Sequence, residues 1–263
     1  MKKTLIIIAI ALIAIAATIA IFLVINRSPA NIADNGLCRQ IEGPDKYYCL
    51  ARVEKNPELC KKIDGADSQV CSAILLEDSS YCQKISSPEA KKMCYNELAR
   101  ASGKIDYCDQ AEDKESCYFS FISGKYWDGK SSEIDKSVCS EKFASQSPEV
   151  KTCLALIDGS AALCEDNSTC KIFFNRDLNF CQDISDKKDV DIQQTECIKN
   201  VALLTKDASI CDKMPSSKKP EINDCFLDFV GHILPDSSIC DKITDKQIKT
   251  GCLIEAALGQ SLK

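Results

Sequence analysis

The clearest copy of a recurring segment in this chain reads Asp78-Ser79-Ser80-Tyr81-Cys82-Gln83-Lys84-Ile85. The aspartate at its start is a favourable helix N-cap, and the apolar residues that follow have the spacing of one face of a two-turn helix. A second cysteine, Cys94, comes next, and Leu98 stands four positions after it, which is the spacing of a second helical face. The segment therefore predicts a pair of short helices with one cysteine in each.

The same pattern recurs nine times, because the 18 cysteines form successive pairs. In eight of the nine units an Asp, Asn or Ser stands four positions before the first cysteine, where it would cap a helix. A short helix, a variable loop and a longer amphipathic helix then repeat every 17–31 residues, which predicts an all-α array of αα-hairpins. The cysteines of the nine units are Cys38 and Cys49, Cys60 and Cys71, Cys82 and Cys94, Cys108 and Cys117, Cys139 and Cys153, Cys164 and Cys170, Cys181 and Cys197, Cys211 and Cys225, and Cys240 and Cys252.

An even number of cysteines in an exported chain indicates disulfide bonds, and two pairings fit this array. A bridge inside each unit would span the variable loop, which can adjust to keep the two sulfur atoms close. A bridge from each second cysteine to the first cysteine of the next unit would have to tolerate an extra helical turn of about 5 Å in some units. We favour the pairing inside each unit.

The N-terminal segment predicts a membrane anchor. Residues 5–25 contain Thr18 as their only polar residue, and a helix of that length would cross the roughly 30 Å hydrocarbon core of a bilayer. Lys2 and Lys3 before the segment favour a cytoplasmic N-terminus. We therefore expect a transmembrane helix within residues 1–26, a linker at 27–33 and an exported domain at 34–263. The protein would then cross the plasma membrane once. A cleaved signal peptide is the alternative and would give a secreted protein.

This arrangement of cysteine-bearing helical hairpins over residues 34–263 resembles cysteine-rich αα-solenoids, of which the Sel1-like repeats are the best known. The resemblance is architectural, because Sel1-like units are longer and have Gly/Ala-rich signatures that this chain lacks. It implies an α-solenoid fold, and it carries no binding residue over to this sequence.

Composition favours a binding or structural scaffold at the cell surface over an enzyme. The chain has only 6% aromatic residues and ten glycines, whereas enzyme-like α/β folds usually need Gly-rich turns around a ligand. Apart from Lys2 and Lys3 it has 31 basic and 39 acidic residues, which disfavours nucleic acid as a partner. We expect no cofactor and no metal, and a protein or surface polymer as partner. An exported hydrolase-like enzyme and a thiol-redox or metal-handling protein are the alternatives.

Four residues stand out from the repeat. Tyr126 and Trp127 lie between two glycines in the longest interval between cysteines, where we expect a loop whose aromatic side chains contact a partner. Asn167 begins an Asn-Ser-Thr sequon and would carry a glycan in a host that glycosylates exported chains. The single histidine, His232, lies on the apolar face of a predicted helix, where a structural role is favoured over a catalytic one.

Overall fold

The computed structural model of the chain describes residues 35–144, 147–182 and 190–261, and every regular element in these ranges is helical. The predicted membrane segment at residues 5–25 lies outside the described residues. Within the described ranges, no helix is both long enough and apolar enough to cross a bilayer.

Each unit opens with a short helix, and in six units its start is fixed by the side chain four positions before the first cysteine. The backbone N–H two residues later donates to this side chain, as Ser80 does to Asp78 at 2.9 Å and Glu58 to Asn56 at 3.1 Å. The same bond forms at Asp135, Asp177, Asp207 and Asp236. The capping role that the sequence predicts is confirmed at Asn56, Asp177 and Asp207, which directly precede the first residue of their helices. At the other three positions the helix starts two or three residues later, and the bond forms a turn that leads into it.

The short helices are tighter than the two-turn α-helix that the sequence predicts, and several are 3₁₀ turns. In most units the carbonyl oxygen of the first cysteine accepts a hydrogen bond from the residue three positions later, as from Ile63 to Cys60 at 3.2 Å. This bond turns an apolar side chain such as Ile63, 4% exposed, into the core. The short helices span Asn35–Gln40, Pro57–Lys62, Ser80–Gln83, Ile105–Gln110, Ser137–Lys142, Ala161–Cys164, Leu178–Gln182, Ala208–Lys213 and Ile239–Lys242, and an additional turn, Ser131–Glu133, precedes the fifth.

The longer helices, one for each unit, carry the second cysteines and most of the buried surface. Several start with proline in the first turn, where its missing N–H costs no hydrogen bond. We label them α1 to α9 by unit: Pro44–Glu54, Gly65–Leu76, Pro88–Ser102, Lys114–Trp127, Pro148–Asp158, Ser168–Ile172, Val190–Thr205, Lys219–His232 and Lys246–Ser261.

Nine disulfides join the two helices of each unit, which is the pairing that we favour from the sequence. They link cysteines that are 6–16 positions apart, with Cα–Cα distances of 5.4–5.8 Å. All 18 cysteines are 0–1% exposed. The bridges lie entirely within units, so the stacking of one unit on the next depends on non-covalent contacts.

The nine units do not form an open array, because the ninth packs on the first. Each longer helix contacts the longer helix of the next unit, and α9 contacts both α1 and the short helix Asn35–Gln40 in the same way. Ile254 and Ala257 of α9 share a buried cluster with Cys38, Ile41 and Val53 of the first unit. The α-solenoid that the sequence predicts is therefore closed into a ring.

Charged side chains join units that are distant along the chain. Arg100 of α3 lies 2.9 Å from Glu97 on the same helix and 3.2 Å from Glu255 of α9, and Arg52 of α1 lies 3.9 Å from Glu97. Burial alone would raise the pKa of Glu97, but Arg100 and Arg52 lower this pKa below its ordinary value. We call Arg52, Glu97, Arg100 and Glu255 the ionic cluster, and it connects units 1, 3 and 9.

Candidate functional site

A cleft of about 470 Å³ opens where the C-terminal ends of α4, α7 and α8 approach one another. Trp127 ends α4, His232 ends α8, and Lys206 follows the last residue of α7. Tyr126 and Arg176 complete the polar and aromatic part of its lining, and Asp128, Gly129, Leu203, Leu204 and Ile233 form the rest. The structure thus brings together side chains from units 4, 6, 7 and 8.

Tyr126 and Trp127 belong to helix α4, which corrects the loop that we expect from the flanking glycines. Gly124 is helical and buried, and the helix continues through it to Trp127. A glycine inside a helix costs about 1 kcal/mol relative to alanine, and packing of the two aromatic side chains offsets that cost. The chain leaves the helix only at Asp128 and Gly129, whose φ of 69° favours glycine.

The two aromatic residues are half-buried and pack against unit 6. The Tyr126 ring lies edge-to-face with Trp127 at 4.9 Å and with Phe174 at 5.5 Å between centroids, and Trp127 lies 6.1 Å from Phe173. The Tyr126 hydroxyl donates to the Phe173 carbonyl oxygen at 3.4 Å. These contacts hold Trp127 in one orientation while leaving part of it at the cleft surface.

His232 and Asp128 join α8 to the end of α4 across the ring. The Nδ1 atom of His232 lies 2.8 Å from Oδ1 of Asp128, and their side chains are 18% and 34% exposed. The pair fixes the relative positions of Trp127 and the C-terminal end of α8. The structural role that the sequence favours for His232 fits this contact.

Two cations at the cleft have no acidic partner among the residues that the structure describes. Arg176 follows α6 and Lys206 follows α7, and both are exposed. Burial raises the pKa of the Tyr126 hydroxyl above its ordinary value, and the nearby positive charge of Arg176 opposes this rise. Several other lysines of the domain are paired, as Lys142 is with Asp109 at 2.8 Å. The side chains that line the cleft therefore carry two cations against the single carboxylate of Asp128, on a domain with excess acidic residues.

Asn167 lies in a second, larger cleft of about 1020 Å³, between the N-terminal ends of α4, α5 and α6. Its Oδ1 atom accepts a hydrogen bond from the Cys170 backbone at 3.0 Å and caps α6, while its Nδ2 atom donates to Thr152 at 3.3 Å. The amide nitrogen that would carry a glycan is thus hydrogen-bonded to the protein. Glycosylation at Asn167 stays a prediction, and attachment would require these contacts to break.

Compared with known protein families, curated proteins and solved structures, the chain shows no match. The resemblance to Sel1-like repeats therefore remains at the level of an all-helical, cysteine-rich architecture with nine disulfides.

Sequence reasoning finds Tyr126 and Trp127 but misses the cations beside them. Arg176 and Lys206 are ordinary loop residues in the sequence, and contacts of unit 4 with later units bring them to Trp127. A weak signal exists for the ionic cluster, because Arg52, Glu97 and Glu255 each stand three positions after the second cysteine of their unit. A charge repeated on that helical face indicates that the face meets other charged groups.

Proposed function

We propose that the protein is an exported binding protein, anchored through residues 5–25, that uses its disulfide-linked ring to present the Trp127 cleft to a partner at the cell surface. The observation that carries this proposal is the position of Trp127, the only tryptophan of the chain, in a cleft with Arg176 and Lys206, two cations that have no acidic partner among the described residues. Half-exposed aromatic and arginine side chains on a rigid frame are typical of binding hot spots.

The chemistry of the cleft supports binding over the two alternatives. The His232–Asp128 pair resembles the orienting half of a hydrolase triad, but the described residues that line this cleft include no serine, threonine or cysteine to act as nucleophile. All 18 cysteines are buried in disulfides, whereas thiol exchange and metal binding require an accessible thiolate.

Sedimentation with detergent-washed cell envelopes tests the proposal. The full chain, purified in detergent, should co-sediment saturably with envelopes from its own cells. Trp127→Ala should weaken that binding at least 10-fold, because truncation of a central aromatic residue typically costs about 2 kcal/mol or more. Trp127→Phe, which preserves a ring in the cleft, should retain most of the binding.

Met93→Ala is the matched control, because Met93 is the most exposed of the large apolar residues at 64% and does not line the cleft. It should bind like the wild type. Equal binding by the wild type and by Trp127→Ala, both correctly folded by circular dichroism, would overturn the proposal.

A further inference from the structure

We propose that the Trp127 cleft binds a carboxylate-bearing sugar unit of a surface polymer. This inference rests on the proposed function and specifies its ligand. The cleft combines an aromatic surface, two cations with no acidic partner in the described ranges and the carbonyl ends of three helices. An acidic sugar has a matching group for each.

The cations select for negative charge. Arg176 and Lys206 line the same cleft with no acidic partner in the described part of the chain, and the one carboxylate in the lining, Asp128, is engaged by His232. A guanidinium and an ammonium group form charge-assisted hydrogen bonds with a carboxylate. A uronate carboxylate would supply the charge that this cleft lacks.

The aromatic surface suits the face of a sugar ring. Trp127 is held by Tyr126 and Phe173, so its orientation does not depend on the ligand. The negative face of an indole attracts weakly positive C–H groups, which one side of a pyranose ring presents together. A rigid aromatic side chain also loses little conformational entropy on binding.

The helix ends supply hydrogen-bond acceptors for hydroxyl groups. The C-terminal ends of α4, α7 and α8 border the cleft. Several of their last carbonyl oxygens accept a bond from a following N–H, as Gly124 does from Asp128 and Ala202 from Asp207, and each such oxygen has a second acceptor site. Sugar hydroxyls are donors that such carbonyls accept. An acidic peptide is less suited, because it brings few hydroxyl donors and the described part of the chain has no strand edge to which it could add.

Trp127 provides a site-specific probe, because it is the only tryptophan. The full chain in detergent micelles is titrated with trigalacturonate, with the neutral α-1,4-linked galactose trisaccharide and with triglutamate while Trp127 fluorescence is recorded. We expect a saturable change with trigalacturonate and at least 10-fold weaker binding of the neutral sugar. Rising salt should weaken the binding of trigalacturonate and leave that of the neutral sugar unchanged, since salt screens exposed charges.

Arg176→Gln and Lys206→Gln should each weaken trigalacturonate binding about 5- to 10-fold, because each removes one charge-assisted contact. Lys171→Gln is the control, since Lys171 is exposed near unit 6 but does not line the cleft. It should bind like the wild type. Unchanged binding in both cleft variants would overturn the proposal. It would indicate that the two cations instead offset the negative ends of the helix dipoles.

The outcomes separate the ligand class from the proposed function. If the neutral sugar binds as tightly as trigalacturonate, or triglutamate binds more tightly, the ligand is not an acidic sugar, but the proposal of a binding cleft stands. Absence of any fluorescence change, with envelope binding still lost in Trp127→Ala, also overturns only the ligand class. If there is no fluorescence change and Trp127→Ala also binds envelopes like the wild type, the proposed function is overturned as well.

Discussion

At the scale of single residues, charge placement within the ring has the clearest consequences for stability. Glu97 is the centre of the ionic cluster, since it contacts both Arg100 and Arg52, and its side chain is 34% exposed. Its partners lie on α3 and α1, and Arg100 extends the contact to Glu255 on α9. Neutralising Glu97 therefore weakens contacts between units that no disulfide connects.

Glu97→Gln should lower the free energy of unfolding at pH 7 by about 1–2 kcal/mol. This loss is larger than that from breaking an exposed ion pair and smaller than that from breaking a fully buried one. The pKa of Glu97 is lowered by folding, so its contribution is complete above its unfolded pKa of about 4.3 and is lost as the pH falls through the lower folded value. The difference between wild type and variant should therefore shrink below about pH 4. Denaturant unfolding across pH measures it.

Glu58→Gln is the control, because Glu58 pairs with Lys61 at the surface and its side chain is 70% exposed. It should change the unfolding free energy at pH 7 by less than about 0.5 kcal/mol. A cost for Glu97→Gln as small as this would show that the ionic cluster does not hold the units together.

At the scale of helices, each unit depends on its own disulfide. The bridges close loops of different length, from Cys164–Cys170, 6 positions apart, to Cys181–Cys197, 16 positions apart. A longer loop has more conformational entropy to lose in the unfolded chain, so its bridge stabilises more in the chain-entropy model. All four cysteines are 0% exposed, which makes the packing cost of their removal comparable.

Replacing Cys181 and Cys197 by alanine should therefore cost on the order of 1 kcal/mol more than replacing Cys164 and Cys170. Urea unfolding of the two double variants gives the comparison directly. Equal costs, or a larger cost for the shorter loop, would indicate that these bridges stabilise through the folded state instead.

The helices themselves are largely predictable because their signals are local. An Asp or Asn four positions before a cysteine starts a short helix with a bond to a residue two positions away, and no tertiary contact is needed. The position at which α4 ends is not determined by a local signal of this kind. Gly124 is an ordinary helix breaker in the sequence, and the helix continues only because Tyr126 and Trp127 pack on Phe173 and Phe174 of another unit.

At the scale of the whole molecule, contacts between units that are distant in the chain form the candidate site. The end of α4 and the end of α8 are 104 positions apart in the chain, and the His232–Asp128 contact joins them. The ring closes because a small rotation between successive units accumulates over all nine units. No single unit of the sequence specifies that total rotation. This is why Trp127 can be selected from the sequence while Arg176 and Lys206 cannot.

The closure itself rests on apolar packing and on exposed charges at the junction of units 9 and 1. Ala257 is 0% exposed and packs in the cluster that contains Cys38 and Ile41. Lys246 of α9 lies 3.8 Å from Glu42 of the first unit, and both side chains are about nine-tenths exposed. These two groups are accessible to reagents and close enough to be joined only if the ring is closed.

A zero-length carbodiimide cross-link between Lys246 and Glu42, identified by mass spectrometry of the full chain, tests the closed ring most directly. We expect this link within single chains, alongside the link between Lys242 and Asp212 of neighbouring units, which lie 2.8 Å apart. Ala257→Arg should abolish the first link and keep the second, whereas Gln247→Arg, at an exposed position of the same helix, should keep both. Formation of the Lys242–Asp212 link without any Lys246–Glu42 link in the wild type would contradict the closed ring.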